Sequence, residues 1–330
     1  ISLFDIQNQK ELRILDMPVE QVGGGDFSSD DRYFLFTGSG STEPANVWLY
    51  DFENDTFTKL TDSPHPGINL EELIAPELVK FKSFDGLELS GWLYKPGVGN
   101  HPYPTVISYH GGPEGQSRPS FSYTFQALLS QGIAVFSPNV RGSSGFGKEF
   151  VNLDNGALRT NGIKDIEACY NYVVESGFAD KSKVGIMGGS YGGYMVMAGI
   201  TEYPDMFAAA ANLFGVVKFI TFFEETEPWM AAISKVEYGD PDTEADMLRA
   251  LSPINKVEVV KTPTIVLHGA NDTNVPVVEA EQVVENLKKR NIPVEYILFQ
   301  DEGHGWRKTS NKVTSTVSIV NWFKLYLVEK

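Results

Sequence analysis

Val184-Gly185-Ile186-Met187-Gly188-Gly189-Ser190-Tyr191-Gly192-Gly193 is the stretch whose reading decides the fold. A short apolar strand runs into a serine bracketed by glycines, and a helical run, Tyr194–Thr201, follows. G-x-S-x-G by itself is weak evidence; at a strand-to-helix junction it is strong. The serine sits on a turn too sharp for bulky neighbours, so small residues are required where backbones crowd. Its hydroxyl is then exposed, and the next backbone N–H points toward a developing oxyanion. No Lys-Ser/Thr closes a phosphate-binding loop here, which disfavours that alternative. Ser190 is the candidate nucleophile.

Outward from this turn, β-rich runs alternate with helical patterns. Glu77–Phe84 and Leu87–Tyr94 flank the tight turn Asp85-Gly86. Strands are expected near Thr105–Tyr109, Ile133–Phe136, Val184–Met187, Phe207–Leu213, Thr264–His268 and Val294–Phe299. Helices are expected near 121–131, 162–176, 193–202, 243–251, 277–290 and 313–328. A leading hairpin followed by β-α units predicts an α/β fold: a mostly parallel, eight-stranded sheet with helices on both faces, the α/β-hydrolase architecture. Its site lies outside the carboxyl ends of the strands.

A serine needs a base, and the base needs an orienting group; on this fold they follow in the order Ser, acid, His. There are five histidines. His65 and His101 lie in proline-rich loops, and His110 and His268 come too early for an acid to intervene. His304 follows the strand Val294–Phe299, inside Asp301-Glu302-Gly303-His304-Gly305. Asp272 leaves the end of Thr264–His268 just before Pro276 opens a helix. Asp301 and Glu302 are rival acids, too near His304 in sequence to reach its far nitrogen easily. His110-Gly111-Gly112-Pro113 follows another strand end and suits an oxyanion loop, with the amides of Gly112 and Tyr191 as candidate donors. No cofactor or metal is expected.

Five stretches in order, His110–Pro113, Asn139–Gly147, Gly188–Gly193, His268–Asp272 and Asp301–Gly305, resemble the prolyl oligopeptidase family of serine peptidases from about Leu78 to the C-terminus. His110 stands where two branches of that family carry an oxyanion tyrosine, so the chain is similar to the acylaminoacyl-peptidase branch. The resemblance implies a β-propeller ahead of the hydrolase domain. Arg141 is expected to be structural, anchoring carbonyls or a carboxylate such as Asp165. The aromatic stretch Leu213–Trp229, with Phe214, Phe219, Phe222, Phe223 and Trp229, either feeds the specificity pocket or packs in the core.

The N-terminal part reads differently. Leu3-Phe4-Asp5-Ile6-Gln7-Asn8 recurs 46 positions later as Leu49-Tyr50-Asp51-Phe52-Glu53-Asn54, each a strand, an Asp/Asn turn and a second strand. A period in the forties built of such hairpins is a propeller signature, although two unrelated surface hairpins would read alike. Tyr33–Phe36 reads as the opening strand of the second copy. Residues 1–61 are therefore expected to be partial β-propeller blades, 62–76 a linker and 77–330 the catalytic domain. One blade and a fragment cannot close a propeller, and the chain starts at Ile1 rather than Met, so a piece of something longer is expected.

Composition narrows the partners. The 330 residues are 42% hydrophobic and 21% charged, enough for a large core. A net charge of −16 argues against nucleic acid and anionic membrane surfaces. A single cysteine, Cys169, rules out an intrachain disulfide and a cysteine zinc site, and fits a cytoplasmic location. No stretch approaches the ~20 apolar residues that span a bilayer. The expected partners are a peptide or small acyl substrate and a separate or missing N-terminal propeller segment. A homo-oligomer stays open. Peptidase action on short or N-acylated peptides is the leading expectation. A carboxylesterase of small esters and a non-catalytic binding module on a hydrolase scaffold are the alternatives.

Overall fold

The computed structural model describes every residue except Pro66. Pro66 belongs to the expected linker 62–76 and lies outside the described residues. Contacts divide the chain into two units, Ile1–Pro76 with Arg118–Ser122, and Glu77–Ser117 with Tyr123–Lys330.

In the first unit, β1 (Ser2–Asp5) and β2 (Lys10–Ile14) form a two-stranded sheet. β3 (Gln21–Phe27), β4 (Tyr33–Ser39), β5 (Asn46–Asp51) and β6 (Thr56–Lys59) form a four-stranded antiparallel sheet in sequence order. The two sequence echoes fold alike at the level of single bonds. Asp5 Oδ1 accepts from the backbone N–H groups of Gln7 and Asn8 at 2.9 and 3.0 Å. Asp51 Oδ1 does the same for Glu53 and Asn54 at 2.9 and 3.3 Å. In both, the asparagine amide returns to the other carboxylate oxygen at 2.8 Å. Four residues after each aspartate, Gln9 and Asp55 close the turn with φ of 50° and 53°. An Asp/Asn turn of this kind replaces missing backbone partners with side-chain oxygens. The strand at Tyr33 is not an opening strand: β3 precedes it in the same sheet. Three glycines, Gly23–Gly25, hide β3 from a propensity-based reading, and the ladder is irregular there. The core of this unit is Leu15, Phe36 and Tyr50, with Phe34, Trp48 and Phe57 packed around them.

The second unit is built on one eight-stranded sheet. Its strands are β7 (Glu77–Lys82), β8 (Glu88–Tyr94), β9 (Tyr103–Tyr109), β10 (Ala134–Asn139), β11 (Ala179–Gly189), β12 (Ala209–Leu213), β13 (Thr264–Gly269) and β14 (Val294–Phe299). Their order is β14-β13-β12-β11-β9-β10-β8-β7. From β14 to β10 all neighbours are parallel; β8 and β7 add an antiparallel hairpin. Residues at the centre of β11 to β13 are buried without alternation, as in a sheet covered on both faces. Neighbouring positions show the two covers. Gly185 faces Phe323 and Leu327 of the C-terminal helix Thr309–Leu327, whereas Ile186 lies against Gly199 of the helix Tyr191–Glu202.

The helices Phe219–Glu225 and Pro228–Tyr238 were not expected from the sequence. The run Phe219-Ile220-Thr221-Phe222-Phe223 mixes β-branched and aromatic residues, so local propensity there opposes helix. Phe219 and Phe222 are almost fully buried and pack on Tyr238, which makes them core residues. Phe223 is partly buried against the same core, and Trp229 is about half exposed.

Candidate active site

Four adjacent parallel strands end side by side, and each delivers one side chain. β11 ends at the Ser190 turn, β12 at Phe214, β13 in the loop of Asp272 and β14 in the loop of His304. Ser190 adopts φ 57° and ψ −121°, a strained conformation for a residue with a Cβ. Its own N–H is bonded to the Leu213 carbonyl at 3.0 Å, which pins the turn to β12. The glycine at 192 is obligatory on steric grounds, because a Cβ there would lie 2.2 Å from the Tyr109 carbonyl oxygen.

His304 Nε2 lies 2.9 Å from Ser190 Oγ, and His304 Nδ1 lies 2.8 Å from Asp272 Oδ2. The other carboxylate oxygen, Oδ1, accepts the backbone N–H groups of Asn274 and Val275, both at 2.9 Å. The Asp272 side chain is fully buried, whereas the imidazole is 22% exposed. Two bonds lock the acid and base loops together: Ala270 N–H to Phe299 O at 2.9 Å, and Asn271 N–H to Glu302 O at 2.9 Å. The imidazole also meets the Phe214 ring, 4.8 Å between centroids, and Phe214 in turn packs on Trp306.

The other candidates are occupied elsewhere. Asp301 pairs with Lys308 and Asn311. Glu302 accepts the backbone N–H groups of Arg307 and Lys308, bonds that hold its carboxyl below the usual range. His110 is bound to Ser143 Oγ through Nε2 at 2.8 Å. His268 donates Nε2–H to the Val275 carbonyl at 2.9 Å, and its burial depresses its basicity, so it stands behind Asp272 as a neutral ring.

The His110–Pro113 loop runs directly over the serine. A Cβ on Gly111 would lie 3.3 Å from the Ser190 Cβ and 4.0 Å from its Oγ. Gly112, at φ 131°, takes a conformation that favours glycine. On the other side, the first intrahelical bond of Tyr191–Glu202 is Tyr194 N–H to Ser190 O at 3.1 Å, so the Tyr191 amide lies in the unpaired first turn. Arg141 is structural, as expected. Its side chain forks onto Asp165 and Asp85 with four contacts of 2.9 to 3.1 Å, and its backbone N–H also reaches Asp165. A buried cluster around Tyr191, made of Asp154, Arg159 and Glu237, had no sequence signature; its members are scattered over 84 residues. Among the described residues no group of histidine, cysteine and carboxylate side chains could hold a metal ion, and no helix is long and apolar enough to cross a membrane.

A mixed sheet of this order, with a serine on the turn after β11 and its partners after β13 and β14, defines an α/β-hydrolase domain. Residues 119–330 match the prolyl oligopeptidase family, and the chain belongs to that family of serine peptidases. It is 34% identical over 319 residues to dipeptidyl aminopeptidase BIII of Pseudoxanthomonas mexicana, covering 91% of this chain and 46% of that protein. The acylamino-acid-releasing enzyme of Arabidopsis thaliana is 31% identical over 230 residues, 68% of this chain and 30% of that one. Among solved structures, the acylaminoacyl peptidase of Pyrococcus horikoshii superposes with a TM-score of 0.85 at 25% identity, over 96% of this chain and 51% of that one. The chain thus spans about half the length of these relatives or less.

Proposed function

We propose that residues 77–330 are the catalytic domain of a serine peptidase that cleaves short or N-acylated peptides through an acyl-enzyme. The carrying observation is the pair of contacts at His304, 2.9 Å to Ser190 Oγ and 2.8 Å to Asp272 Oδ2. Ser190 Oγ bonds to the substrate carbonyl carbon as its proton passes to His304 Nε2. Asp272 holds the Nδ1–H tautomer and steadies the imidazolium. The amides of Gly112 and Tyr191 receive the oxyanion. His304 then returns the proton to the leaving amine as the C–N bond breaks. Water, deprotonated by the same imidazole, attacks the ester carbon, and Ser190 recovers its proton.

The acylaminoacyl-type reading rests on His110, whose ring is bound to Ser143, so that a backbone amide is the donor available from that loop. Residues 1–61 are read as partial propeller blades joined by 62–76, supported by the matching Asp5 and Asp51 turns. The buried lone Cys169 is in keeping with the cytoplasm.

Turnover of an acetyl-amino-acid anilide, a free-amino dipeptidyl anilide and a short-chain nitrophenyl ester tests the assignment. Cleavage of the acetylated anilide, lost in Ser190→Ala, is the expected result. Preference for the dipeptidyl anilide moves the chain to the dipeptidyl branch. Ester turnover alone sinks the peptidase reading, and no labelling of Ser190 by a fluorophosphonate sinks catalysis altogether.

A further inference from the structure

A buried charge cluster beneath the Ser190 turn has no part in the reaction steps above. Arg159, fully buried at the start of the helix Arg159–Glu175, donates through Nη1 to Asp154 Oδ2 and through Nη2 to Glu237 Oε1. Nη2 also reaches the Glu237 carbonyl at 3.2 Å. The guanidinium lies 4.9 Å from the ring centroids of both Tyr191 and Tyr238. The Tyr191 hydroxyl donates to the same Asp154 Oδ2 at 3.1 Å. The side chain of the residue after the nucleophile is therefore held at its tip by a carboxylate and on its face by a cation.

Stability alone is a poor account of this arrangement. Burying an arginine and two carboxylates costs desolvation that well-packed apolar residues of similar volume would not incur. What the cluster supplies is direction. Tyrosine has two side-chain torsions, and pinning both tip and face leaves its Cα, and the N–H attached to it, little freedom to rock. The carboxylate is itself wedged, because Gly142 stands so close that a Cβ there would lie 2.2 Å from Asp154 Oδ1. Gly142 adjoins Arg141, which is fixed to Asp165. A chain of close contacts thus runs from the Arg141 turn through Asp154 to Tyr191, the residue whose amide is the candidate oxyanion donor.

We infer that Asp154 and Arg159 are positioning residues: they hold the Tyr191 side chain so that its backbone N–H stays aimed at the oxyanion. This rests on the reading of Ser190 as nucleophile and of the Tyr191 amide as oxyanion donor.

Tyr191→Phe removes only the hydroxyl and keeps ring, backbone and N–H; Asp154→Asn is the second variant. Both are made in the full chain and assayed with an acetyl-amino-acid anilide and with a peptidyl trifluoromethyl ketone, whose adduct places an oxyanion in the site. Each variant is expected to lower kcat about tenfold with KM within about twofold, and to weaken the ketone by the same factor as kcat. The double variant should be no worse than the poorer single one, because the Tyr191–Asp154 contact is common to both and only Asp154→Asn also weakens the pair with Arg159. A residue that only fills space would change melting temperature and leave the ketone-to-substrate ratio alone. A Tyr191→Phe variant with unchanged kcat and unchanged ketone affinity overturns the inference, whatever Asp154→Asn does. Wild-type protein that neither turns over nor labels at Ser190 overturns the reading beneath it as well, so the two failures are told apart.

Discussion

Replacing Asp272 by asparagine changes one atom and ought to misplace one proton. In the native loop Oδ1 accepts two backbone N–H groups, from Asn274 and Val275, while Oδ2 faces His304 Nδ1. An asparagine has one oxygen, and two amide donors at 2.9 Å compete for it against a single imidazole. The oxygen therefore stays with the backbone and the new NH2 turns toward His304. Nδ1 must then accept rather than donate, which drives the imidazole proton to Nε2, the atom that on the proposed mechanism receives the proton of Ser190. A base in the wrong tautomer cannot take it. Losses of this origin reach ~10⁴ in kcat, about 5.5 kcal/mol of transition-state stabilisation. Both backbone bonds survive, so stability to urea should move by less than about 1 kcal/mol. The assay is kcat on the acetylated anilide beside an unfolding curve. Activity within tenfold of wild type would refute the tautomer argument, as would a variant that loses activity because it unfolds.

Three further outcomes are expected. Burial pushes the Glu279 carboxyl up from 4.5 to about 7, although Val217 N–H, Lys218 N–H and Thr221 all donate to it. Because its folded value lies above the unfolded one, the native state holds the extra proton between those pH values, and its contribution to stability declines as pH rises through them. Glu279→Gln removes that decline, so the stability difference between variant and wild type should drift by about 3 kcal/mol between pH 4.5 and 7, and a flat difference in urea unfolding would contradict it. Arg141→Met leaves Asp165 fully buried with only the Ser83 hydroxyl and the residue-141 backbone N–H in place of the guanidinium, and should cost about 3–5 kcal/mol in urea unfolding; Arg141→Lys should not restore it, since a single ammonium cannot reproduce the fork. Phe214→Ala removes the ring beside His304 and should lower kcat/KM about tenfold by loosening the imidazole, measured on the same anilide; an unchanged value would make that ring mere filler.

The eight-stranded sheet was legible because its strands are short apolar runs bounded by turn residues, a pattern that survives in one dimension. Ser190, Asp272 and His304 were legible for the same reason, since each sits just past a strand end and strand ends can be read from sequence. Gly23–Gly25 obscured β3 because a strand without side chains carries no propensity. The helices after Phe219 were obscured because aromatic and β-branched residues stand where tertiary packing overrides local preference. The cluster of Asp154, Arg159 and Glu237 was invisible in principle. It is a meeting of distant residues: the helix Pro228–Tyr238 lies against the turn Gly156–Leu158, and Glu237 reaches Arg159 just beyond that turn.

The backbone at Ser190 also fixes which atoms the site can use. At φ 57° and ψ −121° a β-branched side chain would be a genuine steric outlier. Threonine is thereby shut out as a nucleophile by the chain itself, before any question of reactivity arises. An unbranched cysteine keeps the single Cβ substituent and can stand where the serine does. On the proposed mechanism the turn is thus a filter on chemistry: it admits a primary alcohol or a thiol, hence an ester or a thioester as the covalent intermediate, and rejects a secondary alcohol.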